Sequence, residues 1–342
     1  MKITMYPVFF MEVKKMNEIL LKVDKLKVYF TISSGMFIKQ KYFLKAVDDI
    51  SFNVYKNEIF AIVGESGSGK TTVAKSILGI YKVTSGNIFL EGENIVNFKN
   101  RKLLARKIQY LYQDPSSSLD PRKKVLDILM EPILVHKLYN KVDAKKIIEN
   151  YLELVKLPPS SYLNKYIINL SGGEKQRIAI VRLLLLKPKL IILDEPTASL
   201  DVSVQAKILE LLLDIKNKYD LTYILITHDL SLVKNLANRI LVLYLGKIME
   251  IAENNELFLN PLHPYTIMLL SSIPVVTDEE LKYIKKRIET IGEIQQLTQV
   301  PSGCVFHPRC PYAMEICKNE DPPLIKINEN HFVKCHLFKN NF

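Results

Sequence analysis

The sequence predicts an α/β fold with a mostly parallel sheet, and three observations lead there. Segments 190–193 and 222–227 are continuous apolar runs, the pattern of strands buried on both faces. Between them Val204, Ile208, Leu211 and Ile215 recur at helical spacing, which makes the connection a βαβ crossover. Upstream, the apolar run 59–63 enters a Gly/Ser segment and then a stretch, 71–80, of helical character: strand, loop, helix.

The remaining elements follow in chain order. Short runs rich in β-branched and aromatic residues at 19–23 and 46–54 read as strands of an antiparallel β subdomain, and the polar stretch 31–41, with Ser33-Ser34-Gly35, as an exposed loop. Residues 101–170 shift to helical patterning, as in 144–155, closed by Pro158-Pro159. The helical subdomain is therefore expected at about 113–175. From 254 onward prolines accumulate, at 261, 264, 274, 301, 308, 311, 322 and 323, and all four cysteines occur there. This texture predicts a separate C-terminal module, 254–342, after a main domain, 17–253.

Composition narrows the classes. At 342 residues with 48% hydrophobic content, the chain is too long for one average domain and able to bury a large core. No apolar run reaches the ~18 residues of a spanning helix, because 178–193 is interrupted by Arg182, Lys187 and Lys189. The apolar run 6–11 is short, is followed by Glu12, Lys14 and Lys15, and lacks a small-residue cleavage site. Residues 1–16 thus read as an N-terminal extension, with Met16 as an alternative start, and not as a signal peptide. The net charge of +11 favours acidic partners without choosing among nucleic acid, nucleotide phosphates and a bilayer surface, and scattered lysines on a solvated face account for much of it.

Three segments carry chemistry. Gly64-Glu-Ser66-Gly67-Ser68-Gly69-Lys70-Thr71, followed by Thr72, has the spacing of a phosphate-binding P-loop. Its glycines let backbone N–H groups turn toward phosphate oxygens, Lys70 reaches the β/γ phosphates, and Thr71 offers its hydroxyl to Mg²⁺. The strand 190–193 ends in Asp194-Glu195, carboxylates suited to Mg²⁺ coordination and to accepting a proton from an attacking water. Ser171-Gly172-Gly173-Glu174 precedes a long helix, and physical reasoning alone leaves it as an anion site or as an ordinary helix cap.

With these segments in family order, the chain resembles the ABC ATPases, and 170–177 is similar to their signature sequence. The resemblance implies a P-loop ABC ATPase core that hydrolyses ATP with Mg²⁺ held by Thr71, Gln113 and Asp194. It implies Gln113 as the Q-loop residue, Glu195 as the catalytic base, His228 as the switch histidine, and Phe30, with Tyr29 as the alternative, as the adenine-stacking ring. Ser171, Gly172, Gly173 and, from the D-loop Ser199-Leu200-Asp201, Asp201 would meet the nucleotide of a facing subunit. A soluble ABC protein acting on nucleic acid is the rival reading. It is disfavoured because only one cassette and no long coiled coil are present, so no nucleic-acid partner is expected.

The segments around Asn260-Pro-Leu-His263-Pro264-Tyr265, Pro301-Ser-Gly-Cys304 and Phe306-His-Pro-Arg-Cys310 are similar to the C-terminal extension of oligopeptide/dipeptide importer ATPases, with a departure at 293–300. That resemblance implies a paralogous ATPase subunit or a second copy as partner, two membrane permease subunits, indirectly an extracytoplasmic substrate-binding protein, and a peripheral place on the cytoplasmic face of the membrane. Peptides are the expected cargo, with oligosaccharides or nickel as alternatives. For Cys304, Cys310, Cys317 and Cys335, similar spacings in these relatives and the lack of C-x-x-C pairs favour a [4Fe–4S] cluster over zinc or free thiols.

Overall fold

The computed structural model describes residues 18–34, 40–273, 295 and 297–339. It divides into two compact units, residues 1–96 with 226–342, and residues 97–225. The expected extension 1–16 and, of the departure at 293–300, residues 293, 294 and 296 lie outside the described residues.

The first unit opens with a long antiparallel pair, β1 (Ile19–Ser34) and β2 (Gln40–Tyr55), running from Ile19 opposite Tyr55 to Ser34 opposite Gln40. Buried Leu21, Val23 and Val28 on β1 and Val47, Ile50 and Val54 on β2 explain why these segments pair. The loop expected at 31–41 is corrected at both ends: 31–34 and 40–41 continue the ladder, and 35–39 lie outside the described residues. Backbone pairing needs no apolar side chains, so a polar strand end reads as loop. β3 (Ile59–Val63), fully buried, leads into the P-loop and α1 (Lys70–Ile77). β4 (Ser85–Leu90) pairs antiparallel with β1, and β5 (Glu93–Asn94) completes a four-stranded sheet.

The second unit begins with α2 (Arg101–Lys107) and β6 (Ile108–Leu111), then α3 (Val125–His136), α4 (Lys141–Leu154), α5 (Pro159–Tyr162) and α6 (Gly172–Leu184). β7 (Leu190–Asp194), α7 (Val202–Tyr219) and β8 (Thr222–Thr227) follow, the last two residues of β8 belonging to the first unit. Helix α4 buries Ala144, Ile148 and Leu152, one stripe at four-residue spacing, and Asn140 caps it by accepting from Asp143 N at 2.9 Å. The stretch 101–170 is not wholly helical, because β6 pairs parallel with β7 from Ile108 opposite Leu190 to Leu111 opposite Leu193. A four-residue strand is too short to show its period.

The chain re-enters the first unit through α8 (Leu230–Leu236), β9 (Arg239–Tyr244), β10 (Lys247–Glu253), α9 (Asn254–Leu259), α10 (Pro264–Ser271), α11 (Glu315–Asn319), β11 (Ile325–Lys326) and β12 (Phe332–Val333). β3 runs parallel to β9, Phe60 opposite Arg239 and Val63 opposite Val242, and β10 returns antiparallel. The tail expected to be a separate module is instead built into this body, since β12 pairs with β10, Glu250 opposite Val333. Fully buried Glu250 accepts from Leu262 N and His263 N, each at 2.9 Å, and meets His331 Nε2 at 2.7 Å. A buried carboxylate is costly without partners, and its three come from two parts of the tail, 262–263 and His331. The rings of Tyr244, Tyr265 and Phe306 pack with centroids 4.6, 5.4 and 5.3 Å apart, adding an apolar seam.

Candidate functional site

The P-loop belongs to the first unit, where β3 delivers it and α1 receives it. Gly64 has φ +150°, and a Cβ there would stand 2.1 Å from the carbonyl oxygen of Leu243 on β9. At Gly69, φ +105° and an Ala46 oxygen 2.4 Å from a built Cβ impose the same requirement. These glycines let the loop lie flush on neighbouring backbone. Lys70 Nζ folds back to donate to the carbonyls of Gly64 at 2.7 Å and Glu65 at 2.8 Å, with Ser68 Oγ at 3.3 Å. Ser68 and Lys70 are buried, while Ser66, Gly67 and Thr71 are exposed and Thr72 is half-buried. A basic side chain, a glycine cradle and a helix N-terminus together suit a nucleotide's phosphates.

The second unit gathers four of the predicted segments. Glu195 follows β7 with φ +46°, a left-handed conformation that costs a non-glycine residue about 1 kcal/mol or more. Its carboxylate accepts a hydrogen bond from Gln113 Nε2 at 2.9 Å, and the backbone oxygen of Gln113 accepts one from Ser199 Oγ at 3.0 Å. Gln113 thus ties the acid after β7 to Ser199. Asp194, half-buried at the end of β7, accepts a hydrogen bond from the Tyr110 hydroxyl on β6. Ser171 caps α6 in a reciprocal arrangement with Glu174, donating its own N–H to Glu174 Oε2 at 2.8 Å and accepting from Glu174 N at 3.3 Å. A Cβ on Gly173 would lie 2.7 Å from Val204 Cγ1 and one on Gly172 3.2 Å from Leu200 Cδ2, so these glycines fit the start of α6 against the D-loop and α7. Ser171, Gly172 and Asp201 are exposed.

The other predicted residues sit in the first unit. His228 follows β8 on the surface, beside Asp229, which caps α8 by accepting from Ser231 N and Leu232 N. The Phe30 ring stands edge-on to Tyr81, centroids 5.1 Å apart, whereas the Tyr29 hydroxyl donates to Asp48 Oδ1, and partial burial with that carboxylate raises its pKa. Phe30 is the ring without a hydroxyl so engaged.

The four tail thiols are free, three of them buried. Burial raises Cys304 to about 11 and Cys335 to about 12, and the other three thiols push Cys335 further in the same direction. Among the described residues, no group of three or more His, Cys, Asp or Glu side chains is arranged to hold a metal ion. The expected cluster, and zinc in its place, therefore find no support in the side-chain geometry.

Two contributors escaped the sequence reading. Tyr110 was hidden in the strand that looked helical. Arg309 was visible inside Phe306-His-Pro-Arg-Cys310, and a lone arginine in an apolar, cysteine-bearing stretch is a signal of a buried ion pair. It pairs with Glu65 of the P-loop at 2.7 and 3.1 Å.

Comparison with known proteins gives this geometry its family. Residues 47–198 match the ABC transporter family, and residues 249–317 match the oligopeptide/dipeptide transporter C-terminal region. The oligopeptide transport ATP-binding protein AppF of Bacillus subtilis is 43% identical over 325 residues, covering 94% of this chain and 98% of AppF. YkfD of the same organism, a putative oligopeptide transport ATP-binding protein, is 42% identical over 324 residues, covering 94% of this chain and 96% of its own length. Among solved structures, cbiO1 from Clostridium perfringens, part of the ABC transporter complex cbiONQ, aligns with TM-score 0.60 and 26% identity, covering 75% of this chain and 95% of its own. The ATP-binding cassette MJ0796, bound to ADP and Pi in a post-hydrolysis dimer, aligns with TM-score 0.59 and 25% identity, covering 68% of this chain and 98% of its own. Identity of this level over nearly the full length of AppF and YkfD, with both family regions in order, means that the chain belongs to the ABC transporter ATPases, in the branch with the oligopeptide/dipeptide transporter C-terminal region.

Proposed function

We propose that this chain is the ATP-hydrolysing subunit that powers import of di- or oligopeptides. The names of AppF and YkfD and the matching C-terminal region support the cargo class. Oligosaccharides and nickel remain the alternative cargoes of the same machine. In this reading the chain lies on the cytoplasmic face of the membrane under two permease subunits, served indirectly by an extracytoplasmic substrate-binding protein. It pairs with a paralogous ATPase or a second copy, presenting Ser171, Gly172, Gly173 and Asp201 to the facing nucleotide.

The chain's own residues divide the work. The loop from Gly64 through Thr72 binds the phosphates, Lys70 exchanging its carbonyl partners for phosphate oxygens, and Phe30 stacks on the base. Mg²⁺, when bound, would supply charge neutralisation at the β- and γ-phosphates, with Thr71, Gln113 and Asp194 as the residues that would hold it. Glu195 takes the proton of the water that attacks the γ-phosphorus, yielding ADP and inorganic phosphate. His228 and Gln113 report the γ-phosphate to the rest of the machine.

The observation that carries the base assignment is the Glu195 carboxylate, placed by a left-handed backbone and aimed by the Gln113 amide 2.9 Å away. Glu195→Gln should retain ATP binding while turnover falls by roughly a hundredfold or more, the range of general-base catalysis. Near-normal turnover in that variant withdraws Glu195 from the role.

For the tail, the [4Fe–4S] reading, with zinc as its alternative, rests on the cysteine spacing alone. Metal analysis of chain prepared without oxygen decides between cluster, zinc and free thiols.

A further inference from the structure

Glu65, the residue directly after Gly64, is held at three points. Its N–H donates to the Tyr265 hydroxyl at 2.9 Å, its carbonyl accepts from Lys70 Nζ at 2.8 Å, and its carboxylate is gripped by both terminal nitrogens of Arg309 at 2.7 and 3.1 Å. Two of the three holders come from the C-terminal region, 200 and 244 residues away in sequence. Tyr265 is fully buried, and the Arg309 side chain is 6% exposed against 21% for Glu65. Arg309 is itself fixed, its guanidinium lying 5.8 Å from the Tyr244 ring and 5.7 Å from the Phe306 ring.

The charges explain why such a clamp matters. A carboxylate inside a phosphate-binding loop repels a nucleotide triphosphate, and a planar guanidinium bonded to both of its oxygens cancels the charge and fixes its direction. A lysine would cancel the charge but could not grip both oxygens.

We propose that Arg309 is a positioning residue for nucleotide binding: it neutralises and orients Glu65, so the C-terminal region sets the affinity of the P-loop. This rests on the reading that the P-loop holds the ATP phosphates.

The test is the Mg-ATP dissociation constant of the full chain, with melting followed without nucleotide. Lys70→Ala must abolish binding, and binding that does not depend on Lys70 removes the underlying reading itself and this proposal with it. Arg309→Gln should weaken binding about tenfold, equivalent to about 1.4 kcal/mol. Adding Glu65→Gln to Arg309→Gln should recover binding to within about threefold of the wild type, since the offending charge is gone. Arg309→Lys should fall between the wild type and Arg309→Gln. A purely structural role for Arg309 gives no such recovery. Arg309→Gln binding within twofold of the wild type, or a double variant weaker than Arg309→Gln alone, overturns the proposal. Should Arg309→Gln fail to fold, Glu65→Asp keeps the charge but breaks the two-point grip at a partly exposed position. That variant should bind about fivefold more weakly, and wild-type affinity there overturns the proposal equally.

Discussion

Gly64 and Gly67 occupy the same loop under different constraints. Both have positive φ, but a Cβ on Gly64 would stand 2.1 Å from a backbone oxygen of β9 and 2.9 Å from Ser68 Oγ, while one on Gly67 meets nothing within 4 Å. β9 pairs with both β3 and β10, so its backbone cannot retreat cheaply. Gly64→Ala should therefore destabilise the nucleotide-free chain by roughly 3 kcal/mol or more, and Gly67→Ala by about 1 kcal/mol, the cost of the left-handed backbone alone. Urea unfolding of the two variants checks this, and equal losses would discard the close-approach argument. At this scale the sequence was most legible. Lys70, Asp194 and Glu195 stand in contiguous segments whose spacing is itself the signal, and the strand before and helix after the P-loop are where the pattern required them. What it could not reveal was the company these residues keep, such as the Tyr110 hydroxyl on Asp194, because a hydrogen bond between two strands leaves no local spacing.

Among elements, the tail differs most from its reading. Its prolines and cysteines gave it the texture of a separate module, yet β12 adds to β10 and Glu250 binds α10's entry and His331 together. Two-residue strands carry no period, so only the folded chain shows the pairing. The tail's thiols make a testable consequence of this burial. Cys304 rises from 9.0 to about 11 and Cys335 to about 12, burial being the first cause for both. Between pH 9 and those values the folded chain holds protons that the unfolded chain has lost, so this contribution to stability is complete below pH 9 and disappears as pH rises through 11 to 12. In reduced, chelator-treated chain at pH 8, iodoacetamide should label Cys304 roughly a hundredfold more slowly in the folded than in the urea-unfolded state, following the two-unit difference in thiolate fraction. Comparable rates would show that Cys304 is not shielded, and would also remove the predicted alkaline loss of stability.

For the whole molecule, the surface carrying the proposed signature residues has a consequence for assembly. The P-loop, Phe30 and His228 belong to one unit, while Gln113, Glu195, the D-loop and the start of α6 belong to the other. In the second unit the exposed Ser171 and Gly172 present a helix N-terminus, a surface that attracts an anion rather than apolar partners. Val202, 79% exposed beside Asp201, and Ile168, 66% exposed just before Ser171, are large apolar side chains near that surface in sequence, a small area against what a stable dimer needs. Under the proposed function, the facing nucleotide supplies the attraction. The isolated chain should be monomeric without nucleotide and should hydrolyse ATP slowly, and the Glu195→Gln variant, which cannot discharge its ATP, should shift toward dimer as ATP is titrated. Light scattering across that titration reads the mass directly. A dimer that persists without nucleotide, fully active with no second kind of subunit, would mean that apolar contacts hold the pair, and would remove the case for a nucleotide-bridged site shared with a different chain.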